Sequence, residues 1–300
     1  MPSGAYPGYW QKSGISQIDI KAVQRKERQK MSDNSTTVTK QETLSALRNP
    51  GELYVIMSAV TKLPFVKCDD ETYDDEIFLY YRVEDAKEKA QELLKEKYLT
   101  AVAKLEDKQL LQFYTSLYTM GVNCLAVNYG TDTQISIQLA DLVVRKNPEQ
   151  LPDGKKILEN PALQLTAIYF MQEMRRQEKP QPTKELKELQ EELLAHYSKG
   201  SFIVATQEDR QIPLLKLKNG DIYQPIFTDM LEFQKFSKGK KMRMAVIPAA
   251  KIPDILVGDA KGVVLNPLSV NVQLLVAKRK KPEADAVKPE AEPVKPETDA

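Results

Sequence analysis

The feature that most constrains this chain is an internal repeat. Leu63-Pro64-Phe65-Val66-Lys67-Cys68 followed by Glu76-Ile77-Phe78-Leu79-Tyr80-Tyr81 reads like Ile212-Pro213-Leu214-Leu215-Lys216-Leu217 followed by Asp221-Ile222-Tyr223-Gln224-Pro225-Ile226. Further on, Leu99-Thr100-Ala101-Val102 matches Arg243-Met244-Ala245-Val246, and Leu125-Ala126-Val127-Asn128 matches Val263-Val264-Leu265-Asn266. The blocks keep their order. The span from proline to asparagine is eleven residues longer in the first copy, and such extras are cheapest in turns and around helix ends. A chain of 300 residues holding one unit twice is expected to fold as two tandem copies of one domain. Superposition should then place Pro64 on Pro213 and Asn128 on Asn266.

Each copy reads as α+β, a mixed sheet with short helices. In the second, strands are expected over 201–206, 212–218, 221–227, 241–248, 261–266 and 270–276. Asn219-Gly220 between two β-rich runs predicts a type I′ hairpin. Met242, Met244 and Val246 alternate with Lys241, Arg243 and Ala245, which suits a sheet packed on one face. Thr228 or Asp229 is placed to cap a helix carrying Leu231, Phe233 and Phe236. A second, short helix over 254–257 should stop at Gly258. In the first copy Ala86, Ala90, Leu93 and Leu94 repeat at helical spacing. So do Leu110, Leu111, Tyr114, Leu117 and Tyr118, with Asp107 as N-cap and Gly121 as stop.

Between the copies, Asn160-Pro161 opens a helix expected to run to about Gln177. Leu163, Ala167, Phe170, Met171 and Met174 occupy one face, and Leu165, Ile168 and Tyr169 the other. A helix apolar on two sides is buried on two sides, so Leu165, Ile168 and Tyr169 are candidate interface residues. Their cover is expected to be the neighbouring domain or a second chain. Pro180 and Pro182 end this helix, and Thr183 caps the next, with Leu186, Leu189, Leu193, Leu194 and Tyr197 on one stripe.

The resulting organisation is a disordered leader over 1–40, a first domain over 41–140, a helical connector over 141–182, a second domain over 183–277 and a disordered tail over 278–300. The tail repeats Lys-Pro-Glu, has no aromatic residue, and its six basic and six acidic residues cancel, so it has too little apolar surface to order itself. Met31 opens a polar stretch of the kind that precedes a first helix, so it is a candidate translation start alongside Met1. No apolar run approaches a membrane span, and the N-terminus lacks a signal-peptide core, which leads to the expectation of a cytoplasmic protein.

Few chemistries survive the composition. A single histidine, His196, argues against a Ser-His-Asp triad, a Cys-His pair or a multi-histidine metal site, and two cysteines, Cys68 and Cys124, are too few for a four-thiolate zinc site or a disulfide framework. Both cysteines read as small apolar core residues. The acidic stretch Asp69, Asp70, Glu71, Asp74, Asp75, Glu76 lacks the spacing of a calcium loop. With 43 Lys+Arg against 42 Asp+Glu, the chain has no overall basic excess for nucleic acid. Locally, Lys235, Lys238, Lys240, Lys241 and Arg243 form a basic patch without interleaved exposed aromatics. No cofactor motif, metal site or catalytic set emerges, and no membrane partner is expected.

The hairpin Ile212 to Pro225, then Ile226-Phe227-Thr228-Asp229, and finally Gly262-Val263-Val264-Leu265-Asn266-Pro267 resemble the N-terminal domain of the SseB-like (enhanced serine sensitivity) bacterial family. The resemblance covers about residues 184–277. It implies an α+β domain in a family of unsettled activity, and no catalytic residues. The first copy departs from it, with Tyr81-Arg82 where Phe227-Thr228 stands and Asn128-Tyr129 replacing Asn266-Pro267. Two functional readings follow. One is a non-catalytic protein-interaction or regulatory module, acting on a partner protein or on itself as a homo-oligomer. The alternative is a small-ligand or anion sensor or enzyme, with candidate binding residues Phe227, Thr228, Asp229, Asn266 and Pro267 at a helix N-terminus, where free N–H groups suit an anion.

Overall fold

Two six-stranded sheets carry the fold, each built in the same strand order. The computed structural model describes residues 39–145, 157–176, 182–209 and 211–279. In the first copy, helix α1 (Lys40–Arg48) precedes β1 (Leu53–Ser58), β2 (Val66–Cys68), β3 (Asp75–Tyr80), α2 (Val83–Lys95), β4 (Thr100–Leu105), α3 (Leu110–Thr119), β5 (Cys124–Val127), β6 (Ile135–Gln138) and α4 (Leu139–Leu142). The connector is α5 (Pro161–Arg176). The second copy repeats the series as α6 (Lys184–Lys199), β7 (Ser201–Gln207), β8 (Leu215–Lys216), β9 (Ile222–Phe227), α7 (Met230–Ser237), β10 (Met242–Pro248), α8 (Ile252–Ile255), β11 (Gly262–Leu265) and β12 (Val272–Leu275). The strand orders are β4-β1-β3-β5-β6 and β10-β7-β9-β11-β12, with β2 and β8 hanging on β3 and β9. Each sheet is antiparallel except for one parallel pair, β3 with β5 and β9 with β11. The duplication and the α+β class expected from the repeat are therefore both present.

The sheets correct the alignment. Asn128 N–H bonds to Leu79 O as Asn266 N–H bonds to Ile226 O, so the two asparagines do correspond. The same registers pair Tyr80 with Tyr54 and Phe227 with Ile203, which puts Tyr80-Tyr81, not Tyr81-Arg82, in the place of Phe227-Thr228. Pro64 falls one residue out of step with Pro213, because Val66 faces Ile77 whereas Leu215 faces Tyr223. The hairpin that absorbs this slip is not type I′ either. Leu217 O accepts from Gly220 N–H, Leu217 N–H bonds to Asp221 O, and only Gly220 of the Asn219-Gly220 pair has positive φ, +88°. That is a type I turn closed by a left-handed glycine, a three-residue hairpin loop. The strand expected over 212–218 shrinks to two residues.

Caps follow the sequence at some ends and not at others. Thr183 accepts from Leu186 N–H and Asp229 from Leu231 and Glu232 N–H. Asp107 instead opens a short 3-10 turn ahead of α3, with no side-chain cap bond. Arg279, expected in the tail, donates its N–H to Pro253 O and its guanidinium to Asp254. Residues 280–300 and 1–38 lie outside the described residues.

The core has three parts because the central strands are buried on both faces. Val55, Leu79 and Val127 of the first sheet, and Val204, Ile226 and Leu265 of the second, face one shared core. Their neighbours face outward under a helix. Ile56, Phe78 and Tyr80 pack beneath Ala86 and Leu93 of α2, while Ile203, Ala205 and Phe227 pack beneath Phe233 and Phe236 of α7. Alternation along a strand delivers this directly.

The connector runs through the shared core. Leu163, Ala167, Ile168 and Met171 are buried in it, and Leu165, Tyr169, Phe170 and Met174 pack at its border. Ile168 is 0% exposed. The second apolar side expected of this helix is thus covered within the chain. Tyr169 OH donates to Asp75 Oδ1 at 2.6 Å, and Leu165 lies against Gly121, where a Cβ would come within 3.1 Å of the Leu165 Cβ and 2.9 Å of Pro161 O. Gly121 also has φ +80°, so both its space and its backbone exclude a side chain there. Gln172 bonds both the N–H and the carbonyl of Val66. At the other end Asn160 holds the expected N-cap position, its carbonyl accepting from Gln164 N–H, while its side-chain amide donates to the carbonyls of Ser201 and Thr228. One helix is hydrogen-bonded to both copies.

Candidate functional site

Four of the five residues expected to form a binding site do come together, and they are sealed. Thr228 ends β9, Asp229 caps α7, and Asn266 ends the parallel neighbour β11, so the topology brings the three side by side. Asn266 Oδ1 accepts from Thr228 N–H at 3.0 Å. Asn266 Nδ2 donates to Gln164 Oε1 at 2.5 Å and to Thr228 Oγ1 at 2.7 Å. The Thr228 hydroxyl donates to Asp229 Oδ2 at 2.7 Å, leaving Asp229 Oδ1 for the two N–H groups of the helix start. Thr228 and Asn266 are 0% exposed and Asp229 2%. Phe227 packs edge-on to Phe233 and against Phe236. Pro267 stands apart, half-buried beyond the brace. A ligand here would have to displace bonds that already satisfy every polar side-chain atom of Thr228 and Asn266.

Asn266 holds φ +44° and Asn128 φ +50°. Asparagine is the residue type that reaches the left-handed region most readily. In the first copy Asn128 Oδ1 accepts from Tyr81 N–H at 3.2 Å, and its amide donates to Thr133 Oγ1. The brace is therefore duplicated, but only the second is completed by a side chain from the connector. Gln164 was not among the sequence candidates. A glutamine on an otherwise apolar helix face is the signal that would have marked it.

A second cluster gathers at the N-terminal end of β3. Glu76 is buried at 4% exposure, with Cys124 opposite it on one side and Lys67 on the other. Burial, with Asp69 and Asp74 adding to it, pushes its carboxyl up to about 7 against the pull of Lys67 and Lys89. Burial also raises Asp75 and lifts the Cys124 thiol to about 12. Cys68 is raised as well, first by burial and then by Asp75. Thiols held up in this way are poor nucleophiles at neutral pH. Among the described residues no group of three or more His, Cys, Asp or Glu is placed to hold a metal ion.

The Glu76 carboxyl has a consequence for stability. Its folded-state pKa lies above the ordinary 4.5, so the folded chain holds the proton more tightly than the unfolded one. Stability from this group is full below about pH 4.5 and is lost as pH rises through 7. Glu76→Gln should therefore stabilise the protein by roughly 2 kcal/mol at pH 8 and by little at pH 4.5. Urea titrations of both chains at the two pH values check this. An equal difference at both would rule out the carboxyl as its source.

An open space lies elsewhere, between the copies. A cleft of about 420 Å³ is walled by Leu105, Phe113 and Met120 of the first copy and by Leu231, Lys235 and Lys238 of the second. Glu232 and Lys235 at its wall are paired at 2.6 Å, and Ser269 donates to the same carboxylate at 2.7 Å. Nothing in the sequence pattern pointed to this cleft, because it forms where residues of different copies meet. The one histidine sits on α6, half-buried against Glu192.

No family model matches the chain. No curated protein matches it. Two solved structures show a slight likeness. Tic22 from Plasmodium falciparum is 14% identical, covering 74% of this chain and 90% of that one, with a TM-score of 0.19. Anabaena Tic22 (protein transport) is 10% identical over 70% of this chain and 83% of that one, with a TM-score of 0.14. Likenesses at those scores do not extend to this chain. No described helix is long and apolar enough to cross a membrane.

Proposed function

We propose that this chain is a non-catalytic module that binds a partner protein, with an apolar segment of that partner seated in the cleft between the copies. The observation that carries the reading is the cleft itself: Leu63, Pro64, Leu105, Phe113, Met120 and Leu231 line it, with α3 on one side and α7 on the other. An occupant would touch both copies at once, which gives a duplicated fold a reason to stay joined. Glu232 and Lys235 of its wall pair with each other, which favours binding over proton transfer. The SseB-like kinship of the second copy belongs to the same proposal, supported by the hairpin, the Phe227-Thr228-Asp229 run and Asn266-Pro267. So does a bacterial cytoplasmic setting, where two unpaired thiols would stay reduced.

The competing small-ligand reading at Thr228 and Asn266 has less support, because both side chains are spent on bracing β9 to β11 and α5. A photo-crosslinker at Gln112, an exposed position on the cleft rim, tests the proposal in native cells. A discrete protein adduct is expected, and Phe113→Glu should reduce it about tenfold; since Phe113 also packs on Tyr114, Phe113→Leu, which keeps the apolar wall, should retain the adduct. An adduct that Phe113→Glu leaves unchanged would place the partner elsewhere.

A further inference from the structure

The two copies differ most at one outer edge. In the first, the 13-residue α2 reaches across to edge strand β4, and Val102 packs with Ala90 and Tyr98 against the Phe65–Phe78 cluster. In the second, α7 has only eight residues. It covers Met242 and stops short of the rest of β10. The strand is seven residues long and pairs only with β7. Met244 and Val246, on the same face as Met242, are 50% and 53% exposed. Among the described residues nothing pairs with the outer edge. A long edge with apolar residues and free backbone groups is a template for an added strand.

The charges around it select what can be added. Lys238, Lys240, Lys241 and Arg243 follow one another through the turn into β10. Lys241 has Glu208 at 3.8 Å, both side chains well exposed. Neither Lys238 nor Arg243 has a carboxylate within 4.0 Å among the described residues. A second copy of this edge would bring the same cations, which is how edges discourage self-pairing. Nucleic acid would find charge but no stacking platform, since Phe236 is buried and lies under the Lys240 amine at 4.8 Å.

We propose that β10 is a docking edge for an extended acidic segment of another protein. The segment would add as a strand outside β10, with apolar side chains over Met244 and Val246 and carboxylates toward Lys238, Lys240, Lys241 and Arg243. This surface shares only Lys238 with the cleft rim; Met244, Val246, Lys241 and Arg243 lie outside it, so either could be occupied without the other.

The test uses the full chain and a labelled peptide of alternating valine and glutamate, nine residues long, read by fluorescence anisotropy. Binding should weaken steeply with salt. The double variant Lys241→Glu/Arg243→Glu and the double variant Met244→Ser/Val246→Ser should each weaken it about tenfold or more. A peptide N-methylated at alternate residues, which cannot form the ladder, should not bind. Hydrogen exchange on the wild-type chain should show β10 amides gaining protection with the first peptide. Absence of peptide binding, unchanged affinity in the charge-reversed chain, or equal binding of the N-methylated peptide would overturn the proposal. So would a nine-nucleotide oligothymidine that binds as tightly as the peptide. All four substituted side chains are exposed or on the edge strand, and unaltered thermal transitions would confirm that the variants fold.

Discussion

Ile168→Asp is expected to abolish folding of the entire chain, not of one half. Its side chain is 0% exposed and belongs to the core that both sheets share. An unpaired carboxylate there either stays charged at a cost of several kcal/mol or takes up a proton and leaves its polar atoms unbonded. Either cost is comparable with the whole stability of a domain. The protein should be recovered as aggregate or proteolysed in the cell. Ile168→Ala, which leaves a cavity and no charge, should remain folded and lose about 2–5 kcal/mol by chemical denaturation. If Ile168→Asp purified with the mass, protease resistance and thermal transition of the parent, the connector could not be the shared core element described above.

The second large effect concerns the two asparagines. Asn266→Ala removes three hydrogen bonds at once, leaving Thr228 N–H and Gln164 Oε1 without their partner in a dry site. It also leaves an alanine at φ +44°. Together these should cost about 3–5 kcal/mol. Asn128→Ala also leaves an alanine at positive φ, +50°, and frees Tyr81 N–H, but its amide reaches only an exposed Thr133 and no connector side chain meets it, so it should cost less, roughly 2–3 kcal/mol. Asn266→Gly separates the causes: it relaxes the backbone and keeps the loss of bonds, so it should recover about 1 kcal/mol. Equal losses at positions 128 and 266 would mean that Gln164 contributes nothing to the brace.

The repeat made the architecture legible because it is written in strand residues, whose alternation survives divergence. What it left uncertain was register. Matching Tyr81 to Ile226 looks as good by eye as matching Leu79 to it, since aromatic and aliphatic residues fill all of Phe78 to Tyr81. Only the backbone bond from the asparagine to the strand end distinguishes them. Asn219-Gly220 announced a hairpin correctly but not its type, because the same dipeptide closes a type I turn when the loop has three residues. Thr228 and Asn266 were legible as neighbours at strand ends. Their burial was not, because it depends on Gln164, sixty-four residues away from Thr228. The two-sided connector was readable from helical spacing alone, and its cover proved to be intramolecular. The cleft could not be read at all, being a product of how the copies sit together.

The connector bears on how such a chain can change over generations. Duplicated domains are ordinarily free to be traded: one copy can be lost, moved to another gene, or replaced. Here Gln172 is committed to the backbone of Val66 and Gln164 to Asn266, so the helix belongs to neither half. A recombination point anywhere in the connector would hand each descendant a sheet with one face open and a brace without its partner. Excising either copy would strip the helix of bonds it makes on both sides, whereas the outer helices and edges, which differ between α2 and α7, can change without touching it.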